Sequence, residues 1–213
     1  GGTAIALIGG ETYSATIGPG GVDDNPIDDN AFGTGGGDSI FFGAGIHITA
    51  TGGGVGGGNY WKGKPGGSGG GSGAPVGAYT STASIQSTWG EGNYPATFPV
   101  QGYRGGLGHD GAVSHTSTGG GGGSSQVGGD CDQTSGNSAA TRGGHGGNGT
   151  VNAITGSNIT YAGGGGGNTD YASGATCDGG TGGGGSGGRA ASVTAGDGTD
   201  GLGGGGGGGL RSS

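Results

Sequence analysis

Basic side chains are scarce: 6 lysines and arginines face 14 aspartates and glutamates, for a formal net charge of −8. That shortage argues against a nucleic-acid partner, because such binding rests on neutralising phosphates with Lys and Arg. It argues equally against simple adsorption to anionic lipid. Hydrophobic residues make up only 27% of the 213 residues, too few for an ordinary core of helices and sheets at this length. No apolar run approaches the length of a membrane span, so no membrane insertion is expected. Proline occurs 6 times and follows no Gly-X-Y period, which removes collagen. The chain starts at Gly1 without a methionine, as expected of a processed product or a fragment of something longer.

What fills the space is glycine, 72 residues of it. It collects in tracts at 52–58, 66–73, 102–108, 119–129, 143–149, 163–167, 179–188 and 196–209, ending in the unbroken run 203–209. Glycine loses more backbone freedom on ordering than any other residue, so such tracts are either loose linkers or packed against one another. Two features favour packing. Only 9% of residues are charged, so self-repulsion does not hold the chain open, and aromatic and β-branched clusters sit between the tracts. A glycine run in the polyproline II conformation has three residues per turn and points its N–H and C=O groups outward. Several such runs side by side can satisfy each other's backbone groups, and without Cβ atoms they approach closely. The expected fold is mostly neither α nor β. It is a bundle or sandwich of packed polyglycine II helices over 52–213, preceded by a short β-rich attachment or packing segment over 1–51.

Along that first segment, 3–8 and 13–17 read as strands joined at Gly9-Gly10, and 40–42 and 46–50 as another strand pair. Asp23, Asp24, Asp28 and Asp29 around Pro26 are hard oxygen ligands suited to Ca²⁺, or else a solvated acidic loop. The stretch 35–41 loosely resembles one calcium-binding nonapeptide of the RTX type, a motif that works only in tandem. His47 lies between isoleucines and reads as a strand residue, with no acid or cysteine placed to complete a triad or zinc site. The stretch 58–65 nearly matches a phosphate-binding loop but puts Pro65 where Ser or Thr must hold Mg²⁺.

If successive tracts run up and down, alternate loops fall at one end. By that parity the loops 74–101, 130–142 and 168–178 share an end. They carry Tyr79, Trp89, Tyr94, Phe98 and Tyr171 together with Cys131 and Cys177. Aromatic residues on loops held by a rigid scaffold are the usual material of a recognition surface, though they can equally cover the bundle end. The two cysteines lack metal-ligand spacing, and the parity allows them to pair. A disulfide is favoured over two buried thiols, and it would stabilise by about 4 kcal/mol through chain entropy. Asn148 and Asn158 open formal glycosylation acceptor triplets.

With the tracts laid out, the chain resembles the glycine-rich domains at the ends of bacteriophage tail-fibre proteins. The residues that carry the likeness are 13–21 (YSATIGPGG), 48–54 (ITATGGG), 154–165 (ITGSNITYAGGG) and 181–188 (TGGGGSGG). In architecture it is also similar to the adhesins that cap the long tail fibres of T-even phages. The resemblance implies a stacked polyglycine II sandwich, extracellular on a virion, with variable distal loops that touch a host surface protein or glycan. A fibre shaft or neighbouring subunit, including another copy, would attach through the N-terminal strands. The C-terminal strand that such domains often carry is missing here, and the cysteine pair is not a hallmark of the family. The alternatives are a structural subunit of an extracellular filament or coat and a polyproline II-type antifreeze protein. No enzyme is expected: Glu11 and Glu91 are the only glutamates, and no motif places a nucleophile near His109, Asp110 and His115.

Overall fold

The computed structural model describes residues 5–22, 33–57, 62–73, 90–110, 116–132, 142–170, 175, 177–190 and 193–209. Among these residues there is no helix, and the strands are short. Near the N-terminus, β1 (Ser14–Thr16), β2 (Ser39–Gly43) and β3 (Ile46–Ala50) form one antiparallel sheet in the order β1-β2-β3. Its register places Ala15 opposite Phe41, and Phe41 opposite Ile48. Ala44 and Gly45 turn β2 into β3 with φ of 46° and 80°, the positive values that a two-residue hairpin turn demands. Tyr13 stacks on Phe41 with ring centroids 5.7 Å apart, which supports pairing β1 with β2. The strand expected over 3–8 does not form in its described part. Ile5, Leu7 and Ile8 are exposed and outside any strand, because β1 takes β2 as its partner instead.

From Gly18 onward, backbone hydrogen bonds join one glycine run to another. Gly37 N–H donates to Pro19 O at 2.9 Å, Gly36 N–H to Gly53 O at 3.0 Å, and Gly54 N–H to Ser68 O at 2.7 Å. Run-to-run bonding therefore begins upstream of residue 52. Neighbours one run apart in sequence are antiparallel, as in Gly129 N–H to His145 O and Asp132 N–H to Arg142 O. Those two runs apart are parallel, as in Gly69 N–H to Tyr103 O and Ser72 N–H to Gly106 O. Side chains contribute almost nothing to the interior: among described residues the buried hydrophobic ones are Cys131 and Cys177. Main chain fills the rest, with Gly69, Gly70, Gly71, Gly105, Gly106, Gly119 and Gly120 all buried. Each such bond nets about 1 kcal/mol, and together they must offset the large ordering entropy of glycine.

The 118–123 run shows the rule that governs the interior. Gly119 donates to Ser72 O (3.0 Å), Gly120 to Gly129 O (3.0 Å) and Gly121 to Gly165 O (2.8 Å). Gly122 then returns to Gly69 O (2.8 Å), Gly123 to Gln126 O (2.9 Å) and Ser124 to Ala162 O (3.0 Å). Successive amides thus address three neighbouring runs in rotation, with a period of three residues. A β-strand would alternate between two sides, and an α-helix would bond within itself. The same period decides where side chains are tolerated. In the 142–149 run, Arg142, His145 and Asn148 recur every third residue. His145 and Asn148 are exposed while Gly143, Gly144 and Gly147 are buried.

Run directions sort the loops into two ends. At one end lie the N-terminal sheet, the segment 93–101, the turn 124–126 and the hairpin of β6 (Thr150–Asn152) with β7 (Ile159–Tyr161). At the other lie the hairpin of β4 (His109–Asp110) with β5 (Thr116–Ser117) and both cysteines. Buried Ser117 and Thr169 join across that end through a 2.9 Å hydroxyl bond.

The expected disulfide is not formed: Cys131 and Cys177 are free, buried thiols. Each occupies a slot in the backbone lattice, and the Cys177 thiol donates to the Gly143 carbonyl at 2.6 Å. Burial, reinforced by the Asp130 and Asp132 carboxylates, pushes the Cys131 thiol from 9.0 up to about 12. Burial also raises Cys177, against an opposing pull from Arg142. Below pH 9.0 both the folded and unfolded chains keep the Cys131 proton; above it the unfolded chain releases a proton that the folded chain holds. This contribution to stability is complete below pH 9.0 and is lost as pH rises toward about 12. Denaturant melts across that range should show a decline that Cys131→Ala flattens; an unchanged slope would contradict the buried position.

Candidate functional site

The segment 93–101 is a loop with a built interior. Gly90 N–H donates to Gly70 O and Gly105 N–H to Gly90 O, so 90–92 is itself a short run wedged between 66–73 and 102–108. The chain leaves that run at Asn93, whose φ is 53°, a left-handed value that Asn tolerates better than most residues. The Asn93 Oδ1 accepts from Thr97 Oγ1 at 2.7 Å and from Gln101 N–H at 3.0 Å, and its Nδ2 donates to Thr97 O at 3.1 Å. Its backbone is anchored as well, through Asn93 N–H to Gly67 O and Tyr94 N–H to Gly66 O. Gln101 then ties the loop to the sheet, donating to Thr49 O at 3.1 Å and accepting from Thr51 N–H at 2.6 Å. Peptide bonds Tyr94–Pro95 and Phe98–Pro99 are cis. On this pinned loop Tyr94 is half exposed and Phe98 is 99% exposed.

Beside the loop runs an open groove of about 450 Å³ lined by Glu91, Asn93, Val100, Tyr103, Arg104 and Val127. Tyr103 is 41% exposed, yet its main chain is fixed on both sides, donating to Gly123 O and accepting from Gly69 N–H. Arg104 donates to Gly105 O at 2.9 Å and lies 3.9 Å from the Asp130 carboxylate. Asp130 in turn accepts from Leu107 N–H at 2.8 Å. The groove is a shallow depression of mixed polar and apolar lining, not an enclosed cavity.

The sequence-expected residues are not all brought together. Tyr79, Trp89 and Tyr171 lie outside the described residues, as do Asp23, Asp24, Asp28 and Asp29. Among described residues no group of three or more His, Cys, Asp or Glu is placed to hold a metal. Tyr94 and Phe98 stand at the end opposite Cys131 and Cys177. The reason is the 90–92 run, which lies alongside residues 66–70 and delivers the chain to that end inside what the sequence presents as a single loop. Glu91, Val100, Tyr103, Arg104 and Val127 were not anticipated as site residues. The spacing of Gln101, Arg104 and Leu107 marks every third position of that run as open to a side chain and so flags Arg104, whereas Tyr103 lies off that spacing. Asn148 is held by Thr181, whose N–H and Oγ1 both donate to its Oδ1 at 3.0 Å, whereas Asn158 is exposed.

The family model of a glycine-rich domain matches residues 2–213. No curated protein and no solved structure matches the chain.

Proposed function

We propose that this chain, which belongs to the glycine-rich domain family, is a non-enzymatic adhesin of a phage tail-fibre tip. Its runs are polyglycine II helices, and the 93–101 loop meets a host surface protein or glycan outside the cell. The observation that carries the reading is Phe98, 99% exposed on a loop that hydrogen bonds hold still. A rigid, exposed aromatic anchor binds at low entropic cost. The three-residue rotation of amide partners in 118–123 supports polyglycine II geometry. Attachment to a shaft or neighbouring subunit would use the β1 edge of the N-terminal sheet, the edge away from β3, to which Gln101 ties the loop. Among the described residues β1 pairs only with β2, and Ile5, Leu7, Ile8 and Ile17 are exposed. Those same residues favour the second reading, a subunit of an extracellular filament or coat that repeats through its sheet edge.

Adsorption of the purified domain to host cells tests the first reading. Phe98→Ala together with Tyr94→Ala should weaken adsorption by about tenfold or more while leaving thermal unfolding unchanged. Full adsorption by a folded double variant would contradict it.

A further inference from the structure

The groove beside the aromatic loop has its own chemistry. Tyr103 is 41% exposed and projects from a main chain that is hydrogen-bonded on both sides. Residues of both kinds line the groove with it: Glu91, whose carboxylate can accept, and Arg104, whose guanidinium donates to Gly105 O, lies near Asp130 and keeps further N–H groups. Ring hydroxyls of a sugar donate and accept at once and match such a pair, while the C–H face of the sugar lies on an aromatic ring. Charge narrows the choice. Arg104 lies 3.9 Å from Asp130, and with Glu91 the surroundings carry more negative than positive charge, so an acidic ligand is repelled. Two features weigh against a peptide ligand. The groove is open and shallow rather than a closed pocket for an anchoring side chain, and Gly92 and Gly102 contribute only main chain to its lining.

We propose that the groove formed by Glu91, Val100, Tyr103, Arg104 and Val127 binds one or two units of a neutral saccharide, stacked on Tyr103 and hydrogen-bonded by Glu91 and Arg104. The proposal deepens, and rests on, the reading of this end of the chain as a recognition surface. A volume of about 450 Å³ holds a ligand of that size. Binding through one ring and a few exposed hydrogen bonds is weak per site, so useful attachment comes from several copies acting together.

Heteronuclear NMR titration of the whole chain tests it with methyl glycosides of glucose, galactose and mannose, and with 3′-sialyllactose as the acidic comparison. At least one neutral glycoside should shift the amides of Glu91, Tyr103 and Val127 with millimolar affinity. Tyr103→Ala should weaken that binding by about tenfold and Tyr103→Phe should retain it. No shift from any neutral glycoside, stronger binding of the sialylated sugar, or indifference to Tyr103→Ala would each overturn the proposal. Cell adsorption separates this failure from that of the adhesin reading. If Phe98→Ala lowers adsorption and Tyr103→Ala does not, the groove proposal fails alone; if neither does, both fail.

Discussion

Replacing Gly122 with alanine should destabilise the domain by about 4 kcal/mol or prevent folding, whereas Gly121→Ala should be close to neutral. The two glycines are adjacent and both donate backbone bonds, to Gly69 O and Gly165 O. They differ in where a Cβ would point. At Gly122 a methyl is driven into the Tyr103 carbonyl and lies 2.6 Å from Arg104 O. Those atoms are main chain, and their run is itself held by Gly69, Gly123 and Gly128, so no side chain can swing aside to make room. At Gly121 the nearest heavy atom is Gly165 N at 3.4 Å, an ordinary contact. Gly121 also falls in step with Thr118 and Ser124, three residues away on either side, which already carry side chains. There the gain of about 0.4–1 kcal/mol from a stiffer unfolded chain offsets any slight crowding. Chemical denaturation of both variants checks this. Equal effects at the two positions would contradict a three-residue repeat.

Asn93→Ala should cost about 3 kcal/mol in the local stability of the loop and abolish adsorption, even though Asn93 itself need not touch a ligand. The substitution removes the bonds to Thr97 Oγ1, Thr97 O and Gln101 N–H. It also leaves alanine at a φ of 53°, where a methyl is disfavoured. With Gln101 released, its bonds to Thr49 and Thr51 weaken, and the loop loses its tie to the sheet. Asn93→Asp separates positioning from contact, because it keeps the acceptor for Thr97 Oγ1 and Gln101 and loses only the donor. Amide exchange at Gln101 should accelerate strongly in the alanine variant and little in the aspartate one, with adsorption following the same order. Exchange that stays slow in Asn93→Ala would show that the loop is held by something else.

Parts of this architecture were legible in the residues. The apolar cluster 40–42 and the Ile46-His47-Ile48 alternation, with Gly45 between, mark the β2–β3 hairpin, whose turn needs positive φ. Reversals inside glycine were not legible. The stretch 119–129 reads as one tract with a polar interruption, yet Ser124, Ser125 and Gln126 turn the chain so that 118–123 and 127–132 run antiparallel. Ser125 Oγ fixes that turn by donating to Gly149 O at 2.8 Å. The 179–188 tract likewise reverses at Gly182 and Gly183, both at positive φ. Homopolymeric glycine has no periodicity to announce where a run ends, and its freedom allows the turn at any residue. The converse error hid the 90–92 run, since Gly90-Glu91-Gly92 is too short to look like a tract. That error put Tyr94 and Phe98 at the wrong end of the bundle. Arg142, His145 and Asn148 did carry usable information, because in that run the larger side chains recur every third residue, while the side chains buried in the lattice are small ones such as Ser72 and Cys177.

The central claim is an interior of main chain whose successive amides bond to three different neighbours in turn. Scalar couplings across hydrogen bonds, measured by NMR on uniformly labelled protein, read those partners directly. The amides of Gly119, Gly120 and Gly121 should couple to the carbonyl carbons of Ser72, Gly129 and Gly165, and Gly122 should return to Gly69. Absent couplings with fast solvent exchange at these amides, or partners alternating between only two runs, would contradict it.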